Sequence, residues 1–430
     1  MLLAGEGTAD ITPEAGLILA GFHYTPGKER KATAARMPSA ARALYLRFND
    51  EPATVLLSVD IIGFAQAVCE RIQNEIAGAL EVPAANVFVT ATHTHSAPSL
   101  VPLLQWGDVS PAYTDRVCAA CLAAAKAARA DAVESDCYYG AQNVVGGNFN
   151  RTVKTWKTDA EFNADATDKD RWLDTLLQVL YFLRADGKPN LAWYHFSAHP
   201  VCYQDTETGP DWPGLVAQKI RDADGITPSL LQGHIGDVNP GDGVKWIGDA
   251  EPTSVAIGLA LHHAVNHSEY LELDHVRVAR STVKLPYDLK RFQDDLAFYR
   301  DHADQCTNDI WVDAGFAKAW SESARRWDLS RGALEVPLAA LRLGPVALLF
   351  HPAELYSYYG LKLRTTSPLP HTLAVGFAGG EIGYLTDPTA YEKKEYAALV
   401  VPKILETPPY APEAAQVLTS GALELLGKLA

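Results

Sequence analysis

Ala53-Thr-Val-Leu-Leu-Ser-Val-Asp60 is a short apolar run enriched in branched residues, and it reads as a buried strand ending at Asp60. Residues 65–80 follow with Val68, Ile72, Ile76 and Leu80 on one helical stripe. Asn86-Val-Phe-Val-Thr-Ala-Thr92 then reads as a second strand. Strand, helix and strand in that order predict an α/β core with a partly parallel sheet.

The surrounding chain extends this pattern. Ser110-Pro111 reads as an N-cap with proline in the first helical position, opening an Ala-rich helix to Ala130. Cys118 and Cys121 fall inside that helix. No second Cys pair accompanies them, so the spacing fits burial on a small-residue face better than metal or redox work. Thr175–Leu183 and Asn190–Phe196 flank Ala185-Asp-Gly-Lys-Pro189, a hairpin signature with Asp-Gly at the turn. Residues 153–171 are polar with both charge signs and read as a surface excursion. Helical patterns recur near 212–223, 253–267, 288–304, 315–328 and 411–428. Strands are predicted at Val276–Leu285, Leu338–Leu343 and Val346–Phe350, the last two joined at Gly344-Pro345. No linker or internal repeat interrupts the 430 residues, which predicts one unit over residues 1–430.

Composition narrows the function. The chain is 48% hydrophobic and 21% charged, as a globular protein should be. A formal charge of −15 with no basic patch excludes nucleic acid and anionic lipid as partners. No apolar run is long enough for a transmembrane segment, and no basic n-region or apolar h-region opens the sequence. The scattered Cys69, Cys118, Cys121, Cys137, Cys202 and Cys306 suit free thiols in a reducing compartment. These features predict a cytoplasmic location and a small-molecule substrate; they leave the oligomeric state open.

Five segments carry candidate chemistry. Thr92-His93-Thr94-His95-Ser96 closes a strand, and residues i and i+2 of a strand share a face about 6–7 Å apart. Two imidazoles there suit one metal ligand and one proton carrier, or equally two surface histidines beside a turn. His195-Phe-Ser-Ala-His199-Pro200 repeats the arrangement, and spacing leaves open which histidine points inward. Gln232-Gly-His-Ile-Gly-Asp-Val-Asn-Pro240 reads as a turn with exposed amides, an ordinary Asx-turn unless its N–H groups face an oxyanion. Leu348-Leu-Phe-His-Pro-Ala-Glu354 reads as a strand running into a helix. Glu354 then falls in the first helical turn, either facing the strand ends or stabilised by the helix dipole. Gly383-Tyr384-Leu-Thr-Asp-Pro388, with Tyr391 and Tyr396 beyond, reads by itself as aromatic packing. Phosphate-loop, dinucleotide, G-x-S-x-G and H-E-x-x-H patterns are all absent from the sequence.

Taken in order, these segments resemble the catalytic domain of the neutral ceramidases. The resemblance runs from Ala9-Asp10-Ile11-Thr12-Pro13 through Gly21-Phe22, Ala41-Arg42-Ala43, Ser58-Val59-Asp60 and the Thr-His-Thr-His segment. It continues through Asn150-Arg151, Ala198-His199, Gly236-Asp-Val-Asn-Pro240, Pro352-Ala-Glu354 and Gly383–Pro388, to Tyr396. It implies an α/β fold of mixed β-sheets flanked by helices. It also implies a Zn2+ site of His93, His199, Glu354 and Tyr384, with His95 as general base. Arg151 and Tyr396 would contact the reacting carbonyl. The family places a serine where this chain has Asn239, which can donate to an oxyanion but cannot repeat a hydroxyl's donor-and-acceptor role. Family members usually carry an export signal and a C-terminal β-sandwich domain. This sequence shows no export signal and closes on a helix-like segment over 422–430.

The activity implied is zinc-dependent hydrolysis of an amide bond in an N-acyl compound, with ceramide itself in question. The alternatives are a zinc-dependent esterase or lyase on a polar or carbohydrate substrate, and last a non-catalytic zinc scaffold. Asp60 and Asp237 are candidates for orienting the shell around the site; for Asp60, turn capping is an equal reading.

Overall fold

The computed structural model describes residues 1–305 and 312–430. Its frame is a large mixed sheet facing a smaller one. Across the large sheet the strands run Ser229–Gln232, Leu191–Phe196, Leu176–Arg184, Val133–Asn143, Leu2–Asp10, Ala40–Phe48, Thr54–Val59 and Val87–Ala91. Its outermost pairs are parallel and the inner ones antiparallel. The small sheet orders Val276–Pro286, Ala333–Leu343, Val346–Phe350 and His371–Val375, with only the last pair parallel.

Side-chain alternation builds the layers. In Thr54–Val59, Leu56 faces the small sheet while Val55, Leu57 and Val59 face helices. In Val346–Phe350, Val346, Leu348 and Phe350 face the large sheet, while Ala347 and Leu349 face outward. Phe88 and Phe350 stack between the sheets at 4.4 Å. Helices Gln66–Leu80 and Pro111–Asp131 cover one half of the large sheet's outer face, and Trp212–Asp224 and Ala250–Asn266 the other. Helices Ser357–Thr366 and Ala414–Gly427 cover the small sheet. The result is helix, sheet, sheet, helix. Strands covered on both faces read as continuous apolar runs, which is how Thr54–Val59 looks in the sequence.

Close approach matters at the first strand. A Cβ on Gly5 or Gly7 would sit 2.2 Å from Ala128 O or 2.1 Å from Ala124 O, so the Ala-rich helix rests directly on the strand's backbone. Ser110 caps that helix, accepting the Tyr113 N–H at 3.3 Å. Cys118 and Cys121 are buried on its inner face, and the five described cysteines are free thiols. Cys306 lies outside the described residues.

Candidate metal centre

The large sheet curls until its outer strands meet. Ser58 Oγ donates to Leu230 O at 2.6 Å. Gln232 Nε2 donates to Thr92 O at 2.8 Å and to Ala198 O at 3.2 Å. This closure sets the loop after Val87–Ala91 against the loop after Leu191–Phe196, so His93, His95 and His199 face one another. Segment 232–240, expected as an exposed turn, is instead buried throughout, because it lies inside this closure.

Each imidazole is fixed from behind by a main-chain carbonyl. Nδ1 of His93 meets Ile62 O at 2.7 Å, that of His95 meets Gly21 O at 3.1 Å, and that of His199 meets Val238 O at 2.8 Å. A carbonyl only accepts, so each Nδ1 carries the hydrogen and each Nε2 presents a lone pair. One donor atom from each of the three lies within 4.8 Å of the others. His93 Nε2 and His95 Nε2 approach to 3.3 Å, two lone pairs with no hydrogen to share. His195, the other histidine of its segment, turns toward the small sheet and bonds Ala374 O at 2.9 Å.

Glu354 and Tyr384 enter opposite. Glu354–Leu355 and Tyr384–Leu385 form a short parallel pair with Glu354 beside Tyr384. The first-turn helical placement expected for Glu354 is corrected here. Its N–H donates to Gly383 O at 2.9 Å, which keeps the chain extended, and the helix begins only at Ser357. Glu354 Oε2 stands 3.3 Å from His199 Nε2 and 3.5 Å from His93 Nε2. Both His199 Nε2 and Glu354 Oε2 are buried without a hydrogen-bond partner.

A cation fits that arrangement. Burial, and then the neighbouring His199, bring His93 down to about 4, a shift that Glu354 only partly opposes. Burial also holds His95 and His199 well below the usual histidine range. All three rings are thus neutral, the form that binds metal. Burial pushes Glu354 up, a cost that a dication beside it would remove. Neutral imidazoles, one carboxylate and one phenol suit zinc or a similar ion.

A polar chain supports the centre. Arg151 Nη2 donates to Tyr384 Oη and Gly236 O, each at 2.8 Å, and Tyr384 is hydrogen-bonded to Glu354. Arg151 Nη1 donates to Asn239 Oδ1 at 3.3 Å, and Asn239 Nδ2 donates to Trp246 O. Asn239 Oδ1 thus helps to orient Arg151, and one of the two Asn239 N–H groups goes to Trp246 O. Asp237 accepts from Ser357 N–H and Oγ at 2.8 Å and from Asn150 Nδ2 at 2.7 Å, anchoring the strand that carries Arg151. Asp60 accepts from Ala40 N–H at 2.9 Å and Arg42 at 3.3 Å, and ties down the strand end before Thr92. Tyr396 packs on Trp106 and Tyr384, with ring centroids 6.2 Å away in each case.

Backbone strain concentrates here. His93 has φ of 66° and Phe377 has φ of 54°, and their rings stack at 4.1 Å. Left-handed conformations of such residues persist only where the surroundings impose them. Gly21, at φ of 95°, lies under His95; a Cβ there would be 2.3 Å from His95 Nδ1. No pattern in the sequence pointed to Phe377 as the ring beneath His93. Nor did any point to Glu381, whose Oε1 accepts the Gly383 N–H at 2.8 Å while Oε2 stays buried and unpartnered.

Two cavities meet at the centre, sharing His95, Trp106, Tyr384 and Tyr396 as walls. One is narrow, about 50 Å³, walled by Ile62, Val101, Leu103, Val401, Ile404 and Leu405 with the Glu381 carboxyl. The other is wide, about 710 Å³, and holds Phe22, Arg151, Gln204, Trp246 and Tyr356.

Residues 2–212 match the family described as neutral/alkaline non-lysosomal ceramidase, N-terminal. The whole chain shares its fold with the neutral ceramidase from Pseudomonas aeruginosa. The TM-score is 0.76 at 19% identity, covering 100% of this chain and 74% of that one. A ceramidase complexed with C2 gives a TM-score of 0.76 at 18% identity, covering 100% and 75%. No curated protein matches significantly by sequence.

Proposed function

We propose that this chain, like the neutral ceramidases over residues 2–212 and in its overall fold, is a zinc-dependent amidohydrolase that cleaves an N-acyl compound. The observation that carries the reading is the convergence of unpartnered His199 Nε2 and Glu354 Oε2 at 3.3 Å, with His93 Nε2 beside them. A buried arrangement of lone pairs without hydrogens asks for a cation.

His93, His199, Glu354 and Tyr384 would hold the ion. Zinc, when bound, supplies Lewis acidity that lowers the pKa of water toward ~7 and polarises a carbonyl. His95 takes a proton at Nε2 and returns it to the leaving amine, since its Nδ1–H is fixed on Gly21 O. Arg151 and Tyr396 face the reacting carbonyl from the wide cavity and stabilise the developing oxyanion. Burial pushes the Tyr396 phenol up, so it stays a donor. Asn239 keeps Arg151 in place.

A second reading is favoured by the three-histidine grouping, in which His95 is itself a ligand. The two are separated by metal content. His199→Ala and Glu354→Ala are expected to lose zinc and activity together. His95→Ala is expected to keep zinc while turnover falls by about 10²–10⁴-fold. Loss of zinc from His95→Ala would make it a ligand, and full activity would remove it as the base. The reaction is tested by product mass spectrometry on zinc-replete protein with amides, esters and acidic sugars, using Glu354→Ala as the blank. Free acid plus amine supports the amidase reading. An unsaturated product, or no reaction with any amide, means that the site serves an esterase or lyase instead.

A further inference from the structure

The polar excursion over residues 153–171 ends on Arg171, which is buried against the segment that carries the tyrosines of the centre. Its Nη1 pairs with Asp387, and its Nη2 with Glu395 Oε1 at 2.6 Å. Nη2 also donates to Thr389 Oγ1 at 3.1 Å. One planar guanidinium therefore holds both flanks of a single turn. Asp387 follows Tyr384 by three residues, and Glu395 immediately precedes Tyr396. Asp387 also accepts the Thr389 N–H at 2.8 Å and caps the helix Pro388–Glu392.

Glu395 is the joint of this arrangement. Its N–H donates to Ala390 O at 2.9 Å, and its Oε2 accepts from Tyr356 Oη at 2.9 Å. Glu395, Tyr356 and Tyr396 line the wide cavity together with Arg151. Lys394, just before Glu395, has φ of 53°, a left-handed conformation that persists only where the surroundings impose it. Tyr396–Leu399 is a helix of one turn, which has no stability of its own. The grip of Arg171 on the residue before Tyr396 therefore sets where that turn begins, and ring packing on Trp106 and Tyr384 completes the placement.

Resting on the reading of Tyr396 as an oxyanion donor, we propose that Arg171 is a positioning residue for the reaction, which aims the Tyr396 hydroxyl by clamping Asp387 and Glu395. A lysine would bring a point charge, which cannot hold two carboxylates in fixed directions. The rival role for Arg171 is simply to neutralise two buried acids. The two roles differ in their coupling to Tyr396. Positioning acts through the hydroxyl and vanishes with it, whereas an ion pair that only stabilises the fold is indifferent to it.

The test is a double-mutant cycle on zinc-replete protein, with N-acetylglucosamine, N-octanoylsphingosine and N-palmitoylsphingosine as the amides. Tyr396→Phe should lower kcat by about 10²–10³-fold, as loss of one oxyanion donor does. Arg171→Lys should lower kcat by about 10²-fold, with KM and zinc content near wild type, since a displacement near 1 Å is enough. The double variant should be no slower than Tyr396→Phe alone. If Arg171→Lys does not fold, Glu395→Gln replaces it. That change keeps the side chain's shape and removes its charge, so it should also lower kcat and add nothing to Tyr396→Phe. Losses that multiply in the double variant, or wild-type kcat in Arg171→Lys, overturn the inference and leave the amidase reading intact. Full activity in Tyr396→Phe overturns it as well, because nothing is then left to position. Failure of every amide, with metal bound, removes the amidase reading and the inference with it.

Discussion

His95 shows how little freedom a residue at this centre has. Its ring is held between the Gly21 carbonyl at 3.1 Å and His93 Nε2 at 3.3 Å, with Phe22 edge-on at 5.4 Å. Gly21→Ala places a methyl 2.3 Å from His95 Nδ1, on a backbone with φ of 95°. A displacement near 1 Å costs about 10²-fold in rate, so activity should drop by about that factor. Zinc content, measured by atomic emission, should stay near wild type because His93, His199 and Glu354 are untouched. Loss of the metal in Gly21→Ala would show that His95 is a ligand. At this scale the sequence was informative only in part. Thr92–Ser96 announced paired histidines, and their strand-end position followed from the apolar run before them. Spacing alone left the choice between His195 and His199 open, and only the family resemblance pointed to His199, because the choice depends on the strand ending at Phe196 and on Val238 O waiting behind His199. Glu354 was visible as a residue, yet its extended backbone was not. That conformation is imposed by Gly383, far along the chain.

Among the elements, the first strand, Leu2–Asp10, carries an electrostatic cost. Glu6 accepts from Trp193 Nε1 at 2.8 Å and Ser229 Oγ at 3.3 Å, and burial raises its carboxyl to about 7 despite those bonds. A carboxyl raised on folding favours the folded state below its unfolded value of about 4.5, and that contribution disappears as pH rises through 7. Stability should therefore decline between roughly pH 4.5 and 7 by an amount on the order of 1–3 kcal/mol from this group. Glu6→Gln should flatten that part of the profile and stabilise the protein above pH 7, as read by urea denaturation at several pH values. An unchanged slope in Glu6→Gln would mean that Glu6 is ionised in the folded protein without penalty. The first strand escaped the sequence reading as an element, since glycines at 5 and 7 mask its alternation. Those glycines are there for the helix backbone, a requirement set by tertiary packing. By contrast, Thr54–Val59, Val87–Ala91 and the helix between them were legible because local pattern and packing agree.

For the molecule as a whole, the metal would act as a bolt between the two sheets. His93 and His199 follow strands of the large sheet, while Glu354 follows a strand of the small one. An ion bound at about 100 times its dissociation constant adds about 2.7 kcal/mol. In a chain of 430 residues each kcal/mol moves Tm by about 1 °C, so chelation should lower Tm by about 3 °C. Glu354→Ala should start lower and ignore the chelator. A wild-type Tm indifferent to chelation, in protein shown to contain metal, would mean that the ion does not join the sheets. Among the described residues no helix is long and apolar enough to cross a membrane, which agrees with the absence of such a run in the sequence. The curl of the large sheet was beyond reach, because Ser58, one strand in from one edge, meets Leu230 on the opposite edge strand.

The carbonyls behind His93, His95 and His199 bear on how such a site changes over generations. Where a metal-binding histidine leans on an aspartate, one codon change can strip its support and retune its basicity. Here the supports are Ile62 O, Gly21 O and Val238 O, and every amino acid that replaces those residues brings a carbonyl of its own. Point mutation therefore has no direct access to the tautomers. Drift should be written into the cavity walls, while the proton positions of the centre are inherited with the path of the chain.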